Sequence, residues 1–161
     1  MIDRLIDILR QEAALFESFL ELLEQQQQML VNNDVEGLNR VTLQQQERLR
    51  ESQNLNRQRE EIIEHIKQAN AVEGDLNVTR LIEMVDQDRA HQLIKLRDLI
   101  QSLNDKITTT RNQNALLLNR SREYIAKTME MLSRINAHSS TYGESGVQKE
   151  SLASVAVDRI A

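Results

Sequence analysis

Three histidines, His65, His91 and His138, are the side chains of this sequence best suited to proton transfer, metal ligation or phosphoryl acceptance near neutral pH. They stand in three different segments and none belongs to a recognisable metal motif, so no metal ligand set is expected. His65 or His91 could accept a phosphoryl group in a two-helix module, but a solvated histidine on a helix face explains either residue more simply. Glu60-Glu61 and the pair Asp86 and Asp88 fall on helices or at a helix start, where solvation and capping account for them without general acid-base work. The four glycines stand at 37, 74, 143 and 146 with no Lys-Ser/Thr signature after any of them, which removes a phosphate-cradling loop. There is no cysteine, hence no thiolate nucleophile, disulfide or Cys-based metal site. The sequence offers no catalytic residue and implies no cofactor; the expectation is a protein that is not an enzyme.

The elements that would position any site are helices. With no proline and four glycines in 161 residues, the size of one domain, almost nothing interrupts a helix. Hydrophobic residues make up 40% and aromatic residues 2%, a Leu, Ile, Val and Ala content that suits helix-helix seams better than a thick core. The fold class is therefore all-α: an elongated antiparallel helical hairpin or bundle of three long helices plus one short helix. A net charge of −5 and a pI near 5.3 exclude the basic stripe on which nucleic-acid binding depends. Residues 1–36 carry eight acidic and two basic groups and residues 111–136 five basic and two acidic, which favours antiparallel packing of these two segments. The start, Met1 to Arg10, alternates charged and apolar residues unlike a signal peptide, and no run approaches the roughly 20 apolar residues of a membrane span. No membrane insertion and a cytoplasmic location are expected.

Apolar residues at Ile2, Leu5, Leu9, Phe16, Phe19, Leu23 and Leu30 follow a 3-4 repeat, with Glu12 and Gln26 as polar exceptions, and predict a first helix over Ile2 to Val31. Asn32-Asn33-Asp34 breaks it, and Asp34 can cap a second helix that runs through Leu38, Leu49, Leu55, Ile62, Ile63 and Ile66. Asn70 to Asp75 is the clearest break in the chain, and a short helix over Asn77 to Val85 follows it. A last long helix over Asp88 to Ala137 carries Leu93, Leu96, Ile100, Leu103, Ile107, Leu117, Tyr124, Met131 and Ile135 at heptad positions. The same frame places Thr110, Asn114, Ser121 and Thr128 where core residues belong, so the seam weakens after Ile107 and a partner is missing there. Residues 1–137 form the helical domain, and 138–161, rich in Ser, Gly and small residues, form a flexible C-terminal tail.

A binding protein of this build would use an apolar helical face that its own bundle leaves uncovered. Leu116, Leu117, Leu118, Tyr124, Ile125, Met129, Met131 and Leu132 make up the candidate face, with Asn114 and Ser121 in its polar seam. The three consecutive leucines subtend about 200° of a helix, too wide for one two-helix seam, and methionine adapts to variable partners. The alternative is that these residues pack on helices one and two. A self-associating coiled-coil scaffold would also bury such a face, and the helical phospho-transfer module remains a third reading.

The run from Leu103-Asn104 through Arg111-Asn112-Gln113-Asn114-Ala115-Leu116-Leu117-Leu118, then Tyr124 and Met131-Leu132, then Thr141-Tyr142-Gly143-Glu144-Ser145-Gly146, resembles the C-terminal half of the FlgN family. Leu20-Glu21-Leu22-Leu23-Glu24-Gln25, Asp34-Val35-Glu36-Gly37-Leu38 and Gln46-Glu47-Arg48-Leu49 resemble the family's first hairpin, so the likeness covers about residues 5 to 148. It implies a cytoplasmic chaperone that keeps the hook-filament junction proteins unpolymerised and delivers them to the flagellar type III export gate. It implies further that the last helix holds the cargo's terminal helical segment, through Asn114, Leu116, Leu117, Leu118, Ser121, Tyr124, Ile125, Met129 and Leu132. Tyr142 matches the tyrosine with which such chaperones dock on the cytoplasmic domain of the gate. An aromatic among small residues, with no core to enter, suits an anchor of that kind.

Overall fold

The structure, a computed structural model, describes residues 1–139. Four helices follow one another: α1 (Ile2–Asn32), α2 (Val35–Ala69), the short α3 (Val78–Met84) and α4 (Gln87–Ser139). All four lie within a residue or two of their predicted bounds. Tyr142 and most of the expected tail lie outside the described residues. The chain divides between Arg120 and Ser121 into two units, and α4 carries the boundary.

The first unit, Met1–Arg120, owes its turns to the residues that interrupt the apolar pattern. Asn33 takes the left-handed conformation (φ 54°), one of the few non-glycine residues that does so readily, and the Asp34 amide then donates to the Met29 carbonyl at 2.9 Å. Asp34 caps α2 by accepting from the Gly37 amide at 2.8 Å. Gly37 is buried because α1 and α2 approach closely here: a Cβ on it would collide with the Met29 sulfur and the capping carboxylate of Asp34. At the far end of α2 the Val72 amide reaches the Lys67 carbonyl at 3.1 Å around Ala71, whose φ of 49° is strained for a residue with a Cβ. Asn77 and Asp86 cap α3 and α4 with side-chain oxygens that accept from the Arg80 and Arg89 amides at 2.9 and 3.0 Å.

The main core gathers Leu5, Ile6, Ile8 and Leu9 of α1, Ile62 and Ile66 of α2, Leu76, Leu81 of α3 and Leu93 of α4. Leu5 and Leu81 are 1% exposed and Leu93 is fully enclosed. A 3-4 repeat alone leaves out Ile6, Ile8, Leu15 and Leu22, all of them buried. They are buried because α1 is packed on both of its flanks, which takes a wider apolar stripe than a two-helix seam. In α2, conversely, Leu49 is 55% exposed and Val41 takes a core place.

Glu12 of α1 meets Arg59 of α2, and Gln26 of α1 meets Gln45 of α2, so this pair is antiparallel. Asp3 meets Arg89 and Gln27 meets Gln113, so α1 and α4 run parallel. This corrects the antiparallel expectation for the acidic start and residues 111–120. The two reversals on either side of α2 return the chain to its original direction, and connectivity overrides the charge asymmetry. Glu17, Glu21 and Glu24 remain on the exposed side of α1.

Candidate functional site

Two polar clusters interrupt the seams of the first unit, at the positions where polar residues break the apolar repeat. Glu12 is 4% exposed and accepts from Arg59 Nη1 at 3.1 Å, and Arg59 also donates to Asn56. Burial pushes the Glu12 carboxyl up from its ordinary value, and the Arg59 guanidinium opposes that shift without cancelling it. Asn114, also 4% exposed, donates through Nδ2 to the Leu23 carbonyl at 2.8 Å and to Gln26 Oε1 at 3.0 Å. Gln26 in turn donates to Gln45 Oε1 at 3.5 Å, which links all three long helices. Exchanging the two ends of the Asn114 amide would set its oxygen against the Leu23 carbonyl, so the orientation is fixed. Asn114 Oδ1 is left buried without a partner among the described residues.

At the opposite end of the unit Arg89 bridges Asp3, at 2.8 and 2.9 Å, and Asp86, at 2.7 Å. Its hydrogen bonds hold both carboxyls below the usual carboxylate range and raise the guanidinium itself. The group is exposed and reads as a helix cap tied to the start of α1. His65 and His91 are exposed; the His65 ring nitrogen Nδ1 lies 2.7 Å from the Glu61 carbonyl. No cluster of three or more metal-ligating side chains occurs among the described residues.

The residues expected to hold a partner separate into distinct settings. Within the first unit, Leu116 and Leu118 are 52% and 48% exposed, Leu117 is half-buried, and Asn114 is committed inside the chain by its hydrogen bonds. In the second unit Ser121 is half-buried, while Tyr124, Ile125, Met129 and Leu132 are all more than half exposed, as are Met131 and Ile135. At 3.6 residues per turn, Tyr124, Ile125, Thr128, Met129, Met131, Leu132 and Ile135 share a stripe about 160° wide. Arg122, Glu123, Lys127, Glu130, Ser133 and Arg134 occupy the rest of the circumference. Arg134 and Glu130 pair across one turn at 2.6 Å, and Thr128 returns its hydroxyl to the Tyr124 carbonyl at 2.9 Å. The second unit therefore presents a well-formed amphipathic helix whose apolar stripe faces solvent.

What sequence reasoning missed is the contribution of the first two helices. Leu30, Leu38 and Thr42 join Gln26, Arg111, Asn114, Ala115 and Leu118 around a cleft of about 390 Å³. No spacing in the sequence signals it: Gly37 marks where α1 and α2 close together but does not line the cleft.

An exposed apolar helix face that includes methionines is a surface on which an amphipathic helix of another chain can pack. Residues 1–150 match the sequence model described as FlgN protein, and the chain belongs to the FlgN family, a family of flagellar export chaperones that bind flagellar substrate proteins. No curated protein and no solved structure matches the chain. No helix among the described residues is long and apolar enough to cross a membrane.

Proposed function

We propose that this chain is a cytoplasmic chaperone for the hook-filament junction proteins, which it keeps from assembling prematurely and delivers to the type III export gate. The observation that carries the reading is the solvent-facing stripe of Tyr124, Ile125, Met129 and Leu132. Burying four such side chains is worth about 1.5 to 3 kcal/mol each before ordering costs, enough for micromolar or tighter binding of an amphipathic segment. Two methionines in the stripe suit cargoes of differing shape. Leu116, Leu117 and Leu118 of the first unit and Ser121 of the second are further cargo contacts in this reading, and Asn114 also fixes the register of α4 against α1.

The delivery step rests on the family resemblance and on Tyr142 as the anchor for the cytoplasmic domain of the gate. Binding by helix packing needs no catalytic group and no cofactor in this chain. The test is co-purification with a hook-filament junction protein from the same bacterium, by size exclusion with light scattering, using the unmodified chain and an Ile125→Asp/Met129→Asp variant. A one-to-one complex that the variant cannot form is the expected result. A stable homo-oligomer that ignores the junction protein and that the same variant dissolves would favour the self-associating scaffold instead.

A further inference from the structure

The cleft in the first unit presents leucines from three helices: Leu30 of α1 and Leu38 of α2, both half-buried, and Leu118 of α4, 48% exposed. Ala115 contributes a single methyl between Arg111 and Leu118, so the space is not filled from within. Arg111 is the one charged residue of the lining, exposed and without a carboxylate among its neighbours there. In a chain of net charge −5 an acidic ligand is repelled by most of the surface. At the cleft it meets Arg111 with no acidic residue in the lining.

We propose that this cleft is a second cargo subsite, resting on the chaperone reading above. It takes a large apolar side chain between Leu30, Leu38 and Leu118 and a carboxylate at Arg111. Seven residues separate Arg111 from Leu118, about 10 Å along the helix axis, so the cargo segment carries its acidic and apolar residues about two helical turns apart on one face. The segment recognised is thus an acidic amphipathic helix. Asn114 is the positioning residue: it lies between Arg111 and Leu118, and its hydrogen bonds to Leu23 and Gln26 hold both at the cleft.

The terminal helical segment of a hook-filament junction protein, synthesised in native form and with its acidic residues changed to Lys, is titrated by fluorescence anisotropy against the full chain. The variants are Arg111→Glu, Leu118→Asp and Ile125→Asp/Met129→Asp, all at exposed positions, and thermal melting by circular dichroism checks that each is folded. The expected result is that Arg111→Glu and Leu118→Asp each weaken the native segment about tenfold, the order of one charge-assisted or apolar contact. Arg111→Glu is further expected to regain affinity for the charge-reversed segment. If both single variants bind the native segment within about twofold of the unmodified chain, by the same affinity scale, while Ile125→Asp/Met129→Asp abolishes binding, the subsite is overturned and the chaperone reading stands. If the unmodified chain binds neither the segment nor the intact junction protein, both fall.

Discussion

The two ends of the Met1–Arg120 unit are closed by different chemistry. Around α3, Leu5, Ile6, Leu81 and Leu93 form a dry apolar core to which all four helices contribute. Near the α1–α2 turn, the amides of Asn114, Gln26 and Gln45 link the three long helices, and the leucines beside them stay half in solvent. Apolar burial stabilises in proportion to area but specifies register weakly, whereas an amide network tolerates one register and contributes little net free energy. One end thus holds the bundle together, and the other sets the alignment of α4 while leaving apolar surface free for a partner.

The largest effect that would break this contrast is Leu93→Ala, which removes a fully enclosed side chain. A loss of about 3 kcal/mol is expected in urea unfolding, against less than about 0.5 kcal/mol for Ile135→Ala in the second unit. Equal losses would mean that stability is shared evenly along the chain.

Next is Arg59→Ala, which strands the buried Glu12 carboxylate. About 2 kcal/mol is expected at pH 7, less than for a fully buried pair because Arg59 is 34% exposed. Burial raises the Glu12 pKa above its unfolded value, so the folded state takes up the proton more readily than the unfolded one. The contribution is then fully present below the unfolded pKa and is lost as pH rises through the folded one. Removing Arg59 enlarges the shift, so the deficit should be greatest near neutral pH and should shrink toward pH about 4, close to the reference glutamate value. Chemical denaturation across that range would show it, and a deficit independent of pH would mean that Arg59 acts by packing alone.

Gly37→Ala sharpens the comparison at the turn end. The added Cβ displaces Met29 or the Asp34 cap, and the loss of about 1 to 2 kcal/mol exceeds the gain in helix propensity of about 1 kcal/mol. A small net fall in melting temperature is expected. The smallest effect is at the α3 end, where Ala71→Gly relieves a left-handed alanine and should raise stability by up to about 0.5 to 1 kcal/mol.

Much of this was legible in the residues. Asn33 and Asp34 mark the α1–α2 boundary and Asn70, Gly74 and Asn77 the break between α2 and α3, because caps and breakers act over three or four residues and need no tertiary context. The polar exceptions at Glu12, Gln26 and Asn114 were legible as exceptions, but their partners were not. Arg59 lies 47 residues from Glu12, and Leu23 lies 91 residues from Asn114. Of the candidate site, the apolar stripe from Tyr124 to Leu132 follows from spacing alone, but its exposure does not, and Leu30, Leu38 and Thr42 come to the cleft only through the packing of three helices.

The sequence by itself determined four helices, their ends, and an amphipathic last helix with more apolar surface than one seam uses. Those are properties of residue spacing and of local hydrogen bonding, both fixed within a few turns of the chain. The tertiary structure decided the direction of α4 relative to α1, the burial of both flanks of α1, and the inward commitment of Asn114. Each of these depends on which faces meet after two chain reversals, and the geometry of those reversals outweighed the pairing of acidic and basic segments that composition alone would favour.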